Sequence, residues 1–252
     1  MPDAVGFGLI AIIIFLTHFQ EGVTGFGCTV LALPFLALLI GLKPAVPVLV
    51  LQAWVLTGYI VLISRRDIVW KEYALILGLA GIGFPVGMWM REAVPETTLK
   101  WVLAFFMIVV GAHGFVRYMT RPKPDAGDGK RKWLSATLLP IGGFIHGAFG
   151  SGGPLAVIYA TKALPNKSVF RATLCMAWFT LNTVLVTQFA VSAKLTPHIW
   201  KLTAFCMPFN VLGMVIGNHA HHRMNELLFK RIVYAVLILA GIAIVLSIVL
   251  RG

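Results

Sequence analysis

Charge is scarce in this chain and acid is scarcest: nine Asp and Glu stand beside 21 Lys and Arg in 252 residues. Charged side chains make up 12% of the sequence, about half the share usual in a soluble globular domain, which excludes an ordinary water-facing surface. Three cysteines, Cys28, Cys175 and Cys206, sit in apolar segments without paired spacing. They read as small buried hydrophobes rather than a disulfide or zinc framework. The opening Met-Pro-Asp has no positive charge, and no small-residue cleavage site follows the first apolar run. It reads as a retained segment rather than a signal peptide. The net charge of +12 brings no basic stripe or aromatic platform, so nucleic acid is not the expected partner.

What the chain has instead is apolar length. Hydrophobic residues account for 59% of it, and they form five segments, a long polar link, then five more. The first set covers 4–21, 28–42, 44–63, 73–90 and 101–118; the second covers 134–149, 154–164, 168–192, 202–218 and 231–250. Arg121, Lys123, Lys130, Arg131 and Lys132 lie among Pro, Gly and Asp in the link, which reads as a flexible loop. The expected fold is an all-α polytopic membrane protein with the lipid bilayer as its surroundings.

The two sets are copies. Gly22, Gly25 and Gly27 fall on Gly147, Gly150 and Gly152 at an offset of 125, and Ala53-Trp54 falls on Ala177-Trp178 at 124. Gly83, Gly87, Glu96, Lys100 and Gly111 then fall on Gly213, Gly217, Glu226, Lys230 and Gly241, all at 130. The division is therefore a first repeat at 1–119, a cytoplasmic linker at 120–133 and a second repeat at 134–252. An odd number of segments per copy inserts the second copy upside down. With the link in the cytoplasm, fifteen Lys and Arg fall inside and six outside, as the positive-inside bias requires. Both termini are then periplasmic.

Residues 154–164 would span only about 16 Å as a helix, against a hydrocarbon core of about 30 Å. Residues 4–42 and 134–164 therefore read as helical hairpins with Gly-rich tips, re-entrant or, for the first, nearly crossing. Each repeat is such a hairpin followed by three transmembrane helices.

The tips are Glu21-Gly-Val-Thr-Gly-Phe-Gly27 and His146-Gly-Ala-Phe-Gly-Ser-Gly-Gly153. Glycine lets the chain turn and expose amides. Helices starting near Cys28 and Pro154 aim free N–H groups and positive dipole ends at the tips, which suits an anion. Gly22, Thr24, Gly25, Gly27, Cys28, Gly147, Gly150, Ser151, Gly152 and Gly153 are the candidate substrate contacts. Close helix packing is the competing role for any glycine here, and it is the expected one for Gly83, Gly87, Gly213 and Gly217.

Glu21 is the one acid inside an apolar segment, where a charge costs about 2.5–3.5 kcal/mol. His146 holds the matching position in the second copy. Glu21, His146 and, one turn before Glu21, His18 are the candidates for proton coupling, with a structural pair as the alternative. Gln52, Trp54, Trp178 and Asn182 on the third segments are candidate walls of the site, or ordinary interhelical hydrogen-bonding groups. Ser151 among glycines near His146 raises an intramembrane hydrolase, but its matching position is Phe26 and no second helix supplies a base. His219-Ala-His221-His222 raises metal binding, yet it sits at a cytoplasmic helix end where cations suit the dipole.

The paired Gly-x-x-Gly-x-Gly tips are each followed by an apolar run and a turn, at Gly41-Leu-Lys-Pro44 and Leu164-Pro-Asn-Lys167. Together with the Gly83/Gly87 and Gly213/Gly217 helices, they resemble the sulfite exporter TauE/SafE family over essentially the whole chain. The resemblance implies a secondary transporter, not an enzyme, that moves sulfite, a sulfonate or a related organic acid, often as export across a bacterial inner membrane. It implies no cofactor. A homodimer, a divalent metal-ion transporter and a passive anion channel stay open as alternatives.

Overall fold

The computed structural model describes residues 4–24, 27–120, 129–164, 166–220 and 226–251. Among these the chain is helical throughout: α1 (Ala4–Thr24), α2 (Cys28–Ile40), α3 (Leu42–Ser64), α4 (Trp70–Ala93), α5 (Glu96–Thr120), α6 (Gly129–Ala136), α7 (Leu139–Phe149), α8 (Gly153–Ala163), α9 (Lys167–Val191), α10 (Pro197–Ala220) and α11 (Glu226–Arg251). Seven stretches among the described residues are long and apolar enough to cross a membrane: Ala4–Gly22, Leu42–Asp67, Trp70–Ala93, Glu96–Arg117, Ser168–Val191, Pro197–Ala220 and Val233–Leu250. Prolines sit inside α2, α3, α4 and α10 at Pro34, Pro47, Pro85 and Pro208, a placement that membrane helices tolerate.

The hairpins are unequal. α1 runs for 21 residues, α2 for 13, and α7 and α8 for 11 each. At 1.5 Å per residue α1 reaches roughly the thickness of the hydrocarbon core, while each arm of the second hairpin covers about half of it. α8 folds back along α7: a Cβ on Gly142 would lie 3.3 Å from Leu155, and one on Gly152 would lie 2.1 Å from the Gly142 oxygen. The link is less loop-like than its composition suggested. α5 continues to Thr120 and α6 occupies Gly129–Ala136, because no helix breaker follows Gly129; residues 121–128 lie outside the described ones.

Local sequence sets the boundaries. α2 ends at Gly41, whose φ of 84° suits glycine and whose amide bonds back to the Ala37 oxygen. The Glu96 carboxylate in the first turn of α5 accepts the Leu42 amide at 3.0 Å and pairs with Lys100 one turn on. Asn166 caps α9 by accepting the amides of Ser168 and Val169.

The helices gather into two compact units that cut across the two halves: residues 1–45, 94–124 and 204–252, and residues 46–93 and 125–203. The first unit packs the α1–α2 hairpin against the body of α10. The backbones nearly touch: a Cβ on Gly22 would lie 2.5 Å from the Met214 oxygen, and one on Gly217 would lie 2.1 Å from the Phe19 oxygen. The second unit repeats this with α7 against α4. A Cβ on Gly147 would lie 2.1 Å from the Phe84 oxygen, and one on Gly87 would lie 2.0 Å from the Phe144 oxygen. Every partner matches at the sequence offsets, Met214 with Phe84 at 130 and Phe19 with Phe144 at 125. Small residues permit this approach, as in small-xxx-small pairs.

Direction can be read from the same contacts. α7 runs parallel to α4, since Gly143 meets Ala80 and Gly147 meets Phe84; α1 runs parallel to α10, since Gly213 meets Phe15 and Gly217 meets Phe19. The pairs of matching helices run oppositely. In the first unit Gly241 meets Ala104 and Ile108, Gly111 meets Ile238 and Gly114 meets Tyr234, so α5 rises as α11 descends. In the second unit Trp54 on α3 reaches Thr183 on α9, while Gly58, one turn later, meets Phe179, one turn earlier.

Candidate functional site

In the second unit, α7 stops at Gly150, which takes φ of 66° and returns its amide to the His146 oxygen at 2.7 Å. A side chain is excluded there by conformation and by Val50, whose methyl would lie 2.5 Å from a Cβ. Ser151 and Gly152 then turn the chain into α8, with Pro154 in its first turn. Pro154 costs no helical hydrogen bond there. The remaining first-turn amides of α8 point back at the tip, as at any helix start. The Ser151 hydroxyl is buried at this break and has no hydrogen-bond partner among the described residues.

His146 is held rigidly one turn before the break. Its Nδ1 accepts the Gly152 amide at 3.3 Å, and its Nε2 lies 3.1 Å from Asn182 Oδ1. An amide only donates and a carbonyl oxygen only accepts, so the ring is the neutral Nε2–H tautomer. Trp178 stacks on it at 5.0 Å between centroids. Sequence reasoning placed His146, Gly152, Trp178 and Asn182 in one site, and the structure brings these four into one connected cluster. The Gly152 amide is spent on His146, which removes it from the amides open to an anion.

Gln52 and Trp54 sit differently. Gln52, fully buried, donates to the Thr203 oxygen at 2.7 Å, and Trp54 donates to Thr183 Oγ1 at 2.9 Å while stacking on Phe179. Both donors tie helices together. Gly147 and Gly22 lie inside helices, and their missing side chains make room for α4 and α10. Gly153 opens α8 with open space where a Cβ would be.

Arg91 was missed as a site residue, because its place near the end of an apolar segment marked it as a topology charge. Its side chain is only 9% exposed. It donates to the Gly147 oxygen at 2.9 Å and to Gln188, lies 4.6 Å over the Phe189 ring and pairs with Glu92. Lys194 also reaches Glu92. A guanidinium on a last-turn carbonyl of α7 satisfies a group the helix leaves open.

The first unit holds the other tip. His18, buried, places Nδ1 2.7 Å from the Ile14 oxygen. Glu21 lies on the same face of α1 as His18, and the thiol of Cys28, the first residue of α2, lies against both, with the three ligand atoms within 4.8 Å of one another. Gly27, with φ of 98°, makes the turn between the helices. Thr24 ends α1, and Gly25 lies outside the described residues, as do His221 and His222; His219 is exposed and bonds to the Val215 oxygen. Glu21 belongs to the first unit and His146 to the second, each among the neighbours just given.

These features define a polytopic all-helical membrane protein of transporter type, with broken, glycine-tipped hairpins in both units. A family model described as Sulfite exporter TauE/SafE matches residues 10–244, and the chain belongs to that family, a family of membrane transporters. No curated protein matches the chain. No solved structure matches it either.

Proposed function

We propose that the protein is a secondary transporter exporting a small anion, of the sulfite, sulfonate or related organic-acid class, across a bacterial inner membrane. The observation that carries this reading is the buried, unpartnered hydroxyl of Ser151 where α7 breaks and α8 begins. A buried hydroxyl without a partner is costly, whereas an anion at a helix start satisfies both the hydroxyl and the first-turn amides. Family membership supports the substrate class.

The reading includes inverted repeats with the central linker in the cytoplasm and both termini in the periplasm. The helix directions within each unit support it: α4 with α7, α1 with α10, α3 against α9 and α5 against α11. Glu21 is the proposed proton carrier. His146 is assigned to holding Gly152, because both of its nitrogens are committed. A hairpin moving together with the fourth helix of the other half would give alternating access.

Purified protein should show thermal stabilisation by sulfite and short sulfonates, and exchange them in proteoliposomes. Ser151→Ala should weaken binding about tenfold to a hundredfold, the worth of one hydrogen bond to a charged group, without lowering the melting temperature. Glu21→Gln should abolish uptake driven by a pH gradient while sparing exchange. Folded wild-type protein that neither binds nor exchanges these anions would end the reading.

A further inference from the structure

The first hairpin carries three side chains with metal-ligand chemistry at one point. His18 and Glu21 share a face of α1 by their three-residue spacing, and the left-handed turn at Gly27 returns Cys28 to them. An imidazole nitrogen, a carboxylate oxygen and a thiol sulfur thus lie within 4.8 Å of one another. Zinc bonds of about 2.0–2.3 Å would set such atoms about 3.5 Å apart, a closure that side-chain rotation can supply.

The His18 ring is already prepared for this role. It is completely buried, and Nδ1 lies 2.7 Å from the Ile14 oxygen. A carbonyl accepts only, so Nδ1 carries the hydrogen and Nε2 presents a bare lone pair. That Nε2 is buried without a hydrogen-bond partner among the described residues. Metal-binding imidazoles are held in this way, with the far nitrogen tied to a carbonyl or carboxylate. The donor set of one nitrogen, one oxygen and one sulfur suits a borderline-soft ion and disfavours magnesium or calcium.

We propose that His18, Glu21 and Cys28 bind a thiophilic divalent cation of the zinc class, leaving a fourth coordination position open. On binding, the Cys28 thiol gives up its proton to solvent and its sulfur becomes a ligand. The matching positions of the second half are Gly143, His146 and Gly153, so the second hairpin does not repeat the ligand set. It lies wholly within the first unit and does not rest on the anion reading; a bound cation occupies the Glu21 carboxylate, so proton carriage by Glu21 belongs to the metal-free protein.

Full-length protein in detergent, stripped with chelator, would be titrated with cobalt(II) and then with zinc. One cobalt per chain is expected, with thiolate-to-metal charge-transfer absorption that zinc abolishes by displacement. Cys28→Ser should remove that absorption, and Glu21→Gln should weaken binding at least tenfold. Cys206→Ser and His219→Ala should change neither. Zinc should raise the melting temperature of the wild type but not of Cys28→Ser, and melting without metal verifies that each variant is folded. The site is overturned by folded wild type that takes up no cobalt, by absorption that survives Cys28→Ser, or by binding lost in His219→Ala. Anion exchange without cobalt binding sinks this inference alone; cobalt binding without anion exchange sinks only the transport reading.

Discussion

The two hairpins occupy matching places in the two units, each pressed against the fourth helix of the other half, yet their tips have parted in chemistry. The first collects an imidazole, a carboxylate and a thiol. The second, at the same positions, has two glycines and an imidazole whose nitrogens are both used. Its remaining polar group is the Ser151 hydroxyl, where the first half has Phe26. On the two proposals made above, one scaffold holds a cation at one tip and an anion at the other. The glycines that let backbones approach recur in both halves, while the residues that face the break differ.

The sharpest way to break this comparison is to crowd the two hairpins equally. A Cβ on Gly143 would lie 1.8 Å from the Ala80 oxygen, while one on Gly22 would lie 2.5 Å from the Met214 oxygen. Overpacking costs about 1–3 kcal/mol and sometimes more, so Gly143→Ala should lose most of the folded protein and Gly22→Ala less. Gly8→Ala, with open space around it, should be harmless. Monodisperse yield after size-exclusion chromatography ranks the three; equal losses at Gly143 and Gly22 would mean the hairpins are packed alike.

A smaller effect is expected at Arg91, which fastens only the second hairpin. Arg91→Gln should lower stability by about 1.5–3 kcal/mol, the range for a hydrogen bond to a charged group. Arg91→Lys should recover part of it, read as melting temperature. No change would show that the Gly147 carbonyl finds another donor. The smallest effect belongs to Asn182. Asn182→Leu strips the acceptor from His146 Nε2 and should cost about 1 kcal/mol, whereas Asn182→Asp should cost less because an acceptor remains. If Leu and Asp behaved alike, the neutral tautomer assigned to His146 would be wrong.

Much of this was legible in the residues themselves. The helical class and the spans follow from hydropathy, and the recurrence of glycines at fixed offsets stands in the residues themselves. The packing role of Gly83, Gly87, Gly213 and Gly217 was readable because small residues four apart seldom serve anything else. The tips were harder. Helix α1 continues through Glu21 and Gly22 to Thr24, since a glycine inside an apolar run is tolerated when another backbone packs against it. That placed Gly22 and Gly147 in helices rather than at the turns. Arg91 escaped notice because burial of a charge depends on partners far away in sequence, here Gly147, Gln188 and Phe189. The grouping of Cys28 with His18 and Glu21 needed the turn geometry at Gly27, which composition does not specify.

The crossed assembly of the units also sets a timetable for synthesis. Gly22 is made roughly 190 residues before Met214, the backbone it must meet. At about 5–20 residues per second, the first hairpin waits on the order of ten to forty seconds in the bilayer without its partner helix. The second hairpin finds α4 already made when it emerges. The nascent chain therefore completes its later hairpin first, and the earlier one stays open to lipid, or to an insertion chaperone, until α10 arrives.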